Sequence, residues 1–256
     1  MSRDAYLSPN HAISLNQFGR PVWLPRGGII ERLLVREAMR QFDRAIGLIV
    51  AHYESCLAHH GDTHRGVDWP DAEDAQKRYA VMLEVIRPES PRPIRFLDFG
   101  CGAGHLLEYI QANHVDGLQY HGLDVSEQFL SLCRSKFPGV PFTHADVLAD
   151  ACELPRFDYV VMNGVFTEKH EVGHDAMWDY VKAVLRRVWT CTSQGLAFNV
   201  MSTHVDWERD DLFHLPCDEL LGFLKAELSR HCVVRHDYGL FEYTAYVYRE
   251  PDQWRA

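Results

Sequence analysis

Three glycines on alternate positions, Gly100, Gly102 and Gly104, follow the acid Asp98 and stand directly before an apolar helical stretch. Glycine lets the backbone turn sharply and lets a ligand approach main-chain N–H groups, because no Cβ stands in the way. A strand, a glycine-rich turn and a helix in this order are typical of a nucleotide-binding loop. Cys101 lies inside the turn, where a small side chain fits.

The spacing of the three glycines indicates which kind of ligand the turn could bind. Dinucleotide sites use Gly-x-Gly-x-x-Gly, whereas this turn is Gly-x-Gly-x-Gly, which is one residue shorter. The Asp98 carboxylate is unfavourable beside a pyrophosphate, because both are negative, but it suits a cation. The motif therefore counts against a nicotinamide dinucleotide.

A second predicted strand, residues 118–124, ends in Asp124 and is followed by Val125. Asp124 comes about 20 residues after the last glycine, the spacing of a carboxylate that binds a ribose diol. An alternative role for Asp124 is the N-cap of the helix predicted over residues 127–137, for which Ser126 competes. Both roles are compatible at neighbouring positions.

Two further predicted strands also end in polar residues. The third, residues 140–147, includes Asp146 and Val147 at its end, although Asp146 alone is also explained as a turn residue. The fourth, Phe157–Met162, runs into Asn163.

Taken together and in this order, these motifs resemble those of the class I S-adenosylmethionine-dependent methyltransferases over residues 92–250. The resemblance implies S-adenosylmethionine as cofactor and a doubly wound, Rossmann-like α/β sheet of seven strands whose last strand is antiparallel. It implies that Asp98 lies near the methionine end of the cofactor and Asp146 beside the adenine amino group. The expected cofactor-binding residues are Asp98, Gly100, Cys101, Gly102, Gly104, Asp124, Val125, Asp146, Val147, Asn163 and Arg78.

The elements that position these residues follow from apolar periodicity. Residues 1–91 are predicted to form a helical N-terminal extension or lid, and residues 92–256 the methyltransferase domain. Helices are predicted over 29–60 and 71–86, with a loop over 61–70. Beyond the fourth strand we expect a helix over 176–189, a turn at Gly195, a strand over 196–202, a helix over 216–231, and antiparallel strands over 232–238 and 241–249.

In the family, such extensions often cover the active site. The alternative is two helices that pack on the sheet edge or form a dimer contact. Arg78 and Trp69 are the candidates for a cofactor contact, because a helix just ahead of the first strand passes near the pocket. Their alternative roles are an exposed arginine and a packing tryptophan.

Candidate bases follow the fourth and fifth strands. An alcohol acceptor loses its proton as it attacks the methyl carbon, so a base is required. His170 is the first candidate, because histidine titrates near neutrality and follows Asn163 by a short loop. Glu168 and His204 are the next candidates, and the alternative for His170 is a solvent-exposed loop histidine.

We predict a methyltransferase that acts on a small molecule, with an oxygen of a sugar or other polar metabolite as acceptor. Two alternatives stay open: a cofactor-binding, non-catalytic partner subunit of the same fold, and an aminopropyltransferase. Substitution of the candidate bases distinguishes the first, because an enzyme loses turnover while cofactor binding is retained.

Composition limits the partners. The 256 residues carry a formal charge of −10 and no basic run, which argues against nucleic acid. No long apolar run or signal-peptide pattern is present, so we expect a cytoplasmic protein without membrane contact. A homodimer is left open.

Seven cysteines without a Cys-x-x-Cys pair indicate reduced thiols rather than a disulfide framework. The fifteen histidines include a cluster at His59, His60 and His64, which we interpret as solvated. His170 and His174 would share a face if helical, but Gly173 interrupts them. We therefore predict no metal.

Overall fold

The computed structural model describes residues 46–149 and 152–252, and the backbone of two short segments, Ser14–Leu15 and Pro21–Val22, which pair antiparallel. The chain divides into two compact units, residues 1–44 and 45–256. Every element described below belongs to the second unit. The predicted helix over 29–60 is described only from residue 46, where helix α1 covers residues 46–60; the rest of that prediction lies outside the described residues.

In the described part of the second unit, seven strands form one sheet with the order β3-β2-β1-β4-β5-β7-β6. The strands are β1 (Ile94–Phe99), β2 (Leu118–Asp124), β3 (Phe142–His144), β4 (Phe157–Met162), β5 (Thr192–Met201), β6 (His231–Arg235) and β7 (Glu242–Tyr248). Strand β7 runs antiparallel to both of its neighbours, and β1 to β5 pair in parallel. The predicted doubly wound sheet with a reversed last strand is confirmed.

Helices cover both faces of this sheet. They are α2 (Ala72–Leu83), α3 (His105–Ala112), α4 (Glu127–Lys136), α5 (His174–Cys191) and α6 (Cys217–Phe223). Helix α2 begins where it does because the Asp71 carboxylate accepts hydrogen bonds from the backbone N–H groups of Glu73 and Asp74. None of the described helices is both long and apolar enough to cross a membrane.

The core lies on both sides of the sheet, because successive residues of a strand point to opposite faces. On β4, Tyr159 and Val161 pack with α2 and α3, whereas Val160 and Met162 pack with α5. All four are fully buried. Burial on both faces explains why the central parallel strands read as continuous apolar runs.

Three predicted elements differ from the structure. Strand β3 has three residues rather than eight, because it lies at the sheet edge and pairs only with the end of β2. The helix predicted over 216–231 stops being α-helical at Phe223 and continues as a π-turn, closed by the bond from Ser229 N–H to Leu224 C=O. Gly195 is not a turn: it lies inside β5, where a Cβ would come within 2.8 Å of the Tyr248 ring.

Candidate functional site

The carboxyl ends of β1, β2 and β4 meet where the strand order reverses, which is where doubly wound sheets bind ligands. A cavity opens there and encloses about 1010 Å³ between atoms, its mouth included. Asp98, Asp124 and Asn163 line it from the ends of the three strands, and Val125 lines it beside Asp124. Its size suits a ligand of nucleoside dimensions.

The glycine turn forms one wall of this cavity. Gly100, Gly102 and Gly104 have φ values of 71°, 50° and 76°, which side chains rarely adopt. A Cβ on Gly104 would come within 2.8 Å of the Phe137 ring, so the third glycine allows α3 to pack closely on α4. Gly100, Cys101 and Gly102 line the cavity, whereas Gly104 holds the turn from behind.

Asp124 fastens the turn to the end of β2. Its Oδ2 accepts a hydrogen bond of 2.9 Å from the Gly102 N–H, and its Oδ1 accepts one of 2.9 Å from the Ser126 N–H. Ser126, not Asp124, is the N-cap of α4, because its Oγ accepts from the Phe129 N–H. Burial raises the pKa of the Asp124 carboxyl. Asp124 is therefore free of the capping role and faces the cavity.

Asp98 is the most deeply buried acid of the cavity, with 3% of its surface exposed. Burial raises the pKa of this carboxyl to about 7, and the nearby Asp124 adds to the rise. The Tyr120 hydroxyl donates a 2.6 Å hydrogen bond to Asp98 Oδ2, which acts in the opposite direction. A ligand cation at this point would find a carboxylate whose charge little else compensates.

Arg78 does not line the cavity but supports it. Its guanidinium lies 4.1 Å from the centre of the Trp69 ring, and Trp69 does line the cavity. The same guanidinium makes a paired contact of 2.9–3.0 Å with Glu242, which is 1% exposed. Nη1 of Arg78 is buried without a hydrogen-bond partner, so one donor is available.

Glu242 is linked through Asn199 to the turn that follows β4. Its Oε1 accepts a 2.7 Å hydrogen bond from Nδ2 of Asn199, a fully buried residue. Oδ1 of Asn199 accepts a 2.7 Å bond from the Gly164 N–H, and its Nδ2 lies 3.4 Å from Oδ1 of Asn163. The buried chain of contacts from Arg78 to Asn163 thus fixes the cavity wall.

Asp146 and Val147 do not line the cavity. Asp146 is exposed and accepts a hydrogen bond from the Leu148 N–H, and Val147 is buried in the core. Their part in binding adenine stays a prediction.

Two of the three predicted bases lie together. His170 Nε2 is 3.9 Å from Glu168 Oε2, and both side chains are mostly buried. Burial, together with the Asp68 and Asp211 carboxylates, raises the pKa of Glu168 to about 7. Burial and the neighbouring His52 lower the pKa of His170. His204, the third candidate, is exposed and apart from this pair: its N–H donates to Ser202 Oγ.

Sequence reasoning predicted a helical lid but did not single out the residues of α1 that lie at the site. Tyr53 lines the cavity and is hydrogen-bonded to Thr167, next to Glu168. His52 and Cys56 lie on the same helix near Asp68. The spacing of His52 and Cys56, four residues apart in a helical stretch, was a signal that they share a face.

Comparison with known proteins agrees with this geometry. A methyltransferase-domain family model matches residues 97–195. The chain is 30% identical over 168 residues to a protein of Mycobacterium tuberculosis predicted to be a methyltransferase, a match over 64% of this chain and 98% of that protein. It is 36% identical over 85 residues to trans-aconitate 2-methyltransferase of Acidovorax ebreus, a match over 31% of this chain and only 32% of that enzyme.

Among solved structures, magnesium protoporphyrin IX methyltransferase from Synechocystis with bound S-adenosylhomocysteine has a TM-score of 0.57 at 14% identity. That match covers 80% of this chain and all of the other. At this identity it shows the fold alone.

Fold and site together define a Rossmann-like protein with a nucleoside pocket at the topological switch point. The chain belongs to the class I S-adenosylmethionine-dependent methyltransferases, and its cofactor is S-adenosylmethionine. The residues present fit this group: Asp98 suits an ammonium, Asp124 suits a ribose diol, and Gly102 lines the cavity without a side chain that would fill it. The roles of the individual residues are proposals.

The raised pKa of the Asp98 carboxyl predicts that cofactor binding depends on pH. S-adenosylhomocysteine keeps the ammonium of the cofactor, and we expect it to bind roughly tenfold more tightly at pH 8 than at pH 6. The reason is that the ionised fraction of a carboxyl of pKa about 7 rises from about a tenth to about nine-tenths between these two pH values. Calorimetric titration at the two pH values measures the change. Asp98→Asn should abolish it; an equal pH dependence in that variant would contradict the assignment.

The same raised pKa has a consequence for stability. The folded protein holds the Asp98 proton to a higher pH than the unfolded chain, so this group favours unfolding increasingly as pH rises from about 4 to about 7. Asp98→Asn should remove that contribution, which thermal unfolding at pH 5 and pH 8 measures.

Proposed function

We propose that the protein methylates an oxygen atom of a sugar or another small polar metabolite. S-adenosylmethionine supplies a methyl group on a sulfonium, and its transfer to the acceptor is an in-line displacement. The observation that carries the proposal is the mostly buried pair Glu168 and His170, just beyond the turn at Asn163 and Gly164. An alcohol acceptor needs such a base, because its proton must leave as the new C–O bond forms, whereas a carboxylate acceptor needs none.

One member of the pair, His170 or Glu168, takes the single proton that the acceptor loses. Neither side chain lines the cavity in this structure; Tyr53, which does line it, is hydrogen-bonded to Thr167, the residue before Glu168. His204, on the chain that follows β5, is assigned to the acceptor side of the site. The trans-aconitate 2-methyltransferase similarity supports a small polar acceptor, since the acceptor in that enzyme's name is a carboxylic acid.

Helix α1 acts as the lid of this site in the proposed function. Ile46, Ile49, Val50 and Tyr53 place its apolar face along the cavity. Glu54, on the same helix, accepts a 2.6 Å hydrogen bond from Ser126 Oγ. An apolar cover excludes water, which strengthens the electrostatic interactions within the site.

The test is a screen of sugars, hydroxylated metabolites and small organic acids, each incubated with S-adenosylmethionine. The release of S-adenosylhomocysteine is measured as the sign of methyl transfer. A parallel screen with decarboxylated S-adenosylmethionine, measured as release of methylthioadenosine, tests the aminopropyltransferase alternative, because only that donor carries an aminopropyl group. A protein that binds the cofactor but turns over no acceptor would favour the non-catalytic partner subunit instead.

For the acceptor found, Glu168→Gln should lower kcat at least about 100-fold and leave the Kd of S-adenosylmethionine within about twofold, because general-base catalysis contributes roughly 10²–10⁴-fold. Steady-state kinetics and calorimetry measure the two quantities. Glu171→Gln is the matched control, since Glu171 is exposed and undergoes the same chemical change. Equal kcat values for the two variants would remove Glu168 from the mechanism.

A further inference from the structure

A second group of reactive side chains lies beside the cofactor cavity, where α1 faces the loop that follows it. His52 Nε2 lies 2.8 Å from Asp68 Oδ2 and 3.7 Å from Cys56 Sγ. The three donor atoms all lie within 4.8 Å of one another, and all three residues are half-buried. None of the three lines the cavity, and none has a role in the proposed methyl transfer.

Local structure aims these three side chains at one point. His52 and Cys56 are one helical turn apart on α1 and therefore share a face. Asp68 ends the short 3₁₀ turn His64–Val67 in the left-handed conformation, with φ of 59°. A non-glycine residue is uncommon in this conformation. The Asp68 N–H donates a hydrogen bond to the Arg65 C=O, which holds Asp68 in this conformation. The Asp68 carboxylate is thereby brought into contact with His52 on α1.

Two neighbouring residues interact with the group. His170 packs its ring on that of His52, with 4.5 Å between the ring centres, and its Nε2 is buried without a hydrogen-bond partner. The Asp68 carboxylate is close enough to Glu168 to contribute to the raised pKa of that carboxyl. Arg209, whose charge also reaches Glu168, forms its salt bridge with Asp211.

We propose that His52 Nε2, Cys56 Sγ and Asp68 Oδ2 bind a divalent transition-metal ion of the zinc class, with one coordination position left open. Thiolate and imidazole together select zinc-like ions over magnesium or calcium, which prefer oxygen ligands alone. Ligand atoms of a tetrahedral zinc site lie about 3.5 Å apart, close to the distance between Cys56 Sγ and His52 Nε2. The shorter contact between His52 and Asp68 is a hydrogen bond that the ion replaces.

This site revises the sequence-based prediction of no metal, and it does not depend on the proposed function. The ion would join α1 to the 61–70 loop, so its binding stabilises the folded chain.

The experiment uses full-length protein, stripped with a chelator and then titrated with Zn²⁺ by calorimetry and with Co²⁺ by absorption spectroscopy. We expect about one equivalent of Zn²⁺, and a thiolate-to-cobalt charge-transfer band. Cys56→Ser should abolish the band, and both Cys56→Ser and His52→Ala should weaken Zn²⁺ binding at least about tenfold, since even outer contacts of a metal site cost that much.

His59→Ala and Cys232→Ser are the matched controls: His59 is exposed on the same helix, and Cys232 lies on β6. Both should bind Zn²⁺ as the wild type does. Absence of stoichiometric Zn²⁺ binding by the wild type, or binding that Cys56→Ser leaves unchanged, would overturn the proposal. The affinity for S-adenosylmethionine reports whether each variant is folded. If a variant is not folded, the wild-type Co²⁺ spectrum is the test: a thiolate-to-cobalt charge-transfer band supports the proposal, and its absence overturns it.

Discussion

Asp124→Ala should weaken S-adenosylmethionine binding at least about 100-fold. In its proposed role the carboxylate accepts two hydrogen bonds from the ribose diol, and hydrogen bonds to a charged group contribute about 1.5–3 kcal/mol each. The same substitution releases the N–H groups of Gly102 and Ser126, so the glycine turn loses its attachment to β2. Calorimetric titration with S-adenosylmethionine and S-adenosylhomocysteine measures the loss, with NAD as the control ligand.

Two variants separate ligand contact from loop support. Asp175→Ala, at a fully exposed aspartate at the start of α5, should bind like the wild type. Asp124→Asn should be intermediate, because Gly102 and Ser126 donate to different oxygens and an amide offers only one. Unchanged affinity in a folded Asp124→Ala protein would show that the ribose is held elsewhere.

Arg78→Ala should destabilise the protein by about 3–5 kcal/mol, the usual cost of removing one partner from a buried ion pair. Glu242 would keep a negative charge at 1% exposure with only Asn199 as a remaining donor. For a domain of this size the loss corresponds to a fall in Tm of roughly 10 °C. Differential scanning calorimetry measures it.

The matched control is Lys77→Ala on the same helix. Lys77 pairs with Glu73 and Asp74 at the surface, where ion pairs contribute about 0–1 kcal/mol. The double variant Arg78→Met with Glu242→Gln should recover much of the lost stability, because no buried charge is then unpaired while Asn199 keeps an acceptor. If Arg78→Ala and Lys77→Ala had equal Tm values, the pair with Glu242 would not be a stabilising one.

The parts of the site that local sequence encodes were predictable. The glycine turn and Asp98 lie within a few residues of each other, and their backbone requirements are visible in the residue types. Asp124 and Asn163 follow from the rule that parallel strands present their carboxyl ends at one edge. Long apolar runs such as β4 also predict buried strands reliably, because both faces must be covered.

Contacts between distant segments were not predictable in the same way. Nothing near Arg78 in the sequence indicates that its partner is Glu242, since only the packing of α2 over the end of β7 brings the two together. Asp68 meets His52 because a short turn reverses the chain. The prediction of a turn at Gly195 was wrong. A glycine is required there because the Tyr248 ring packs closely on it, and not because the chain reverses.

Strand β7 lies between β5 and β6, although it follows both in the chain. During synthesis on the ribosome, β5 therefore emerges with an open edge, and Arg78 and Asn199 emerge well before the carboxylate that joins them. A nascent chain that has not yet released residues 242–248 can form the glycine turn but not the buried contacts behind Asn163. Chaperones that mask exposed strand edges are most relevant in this interval.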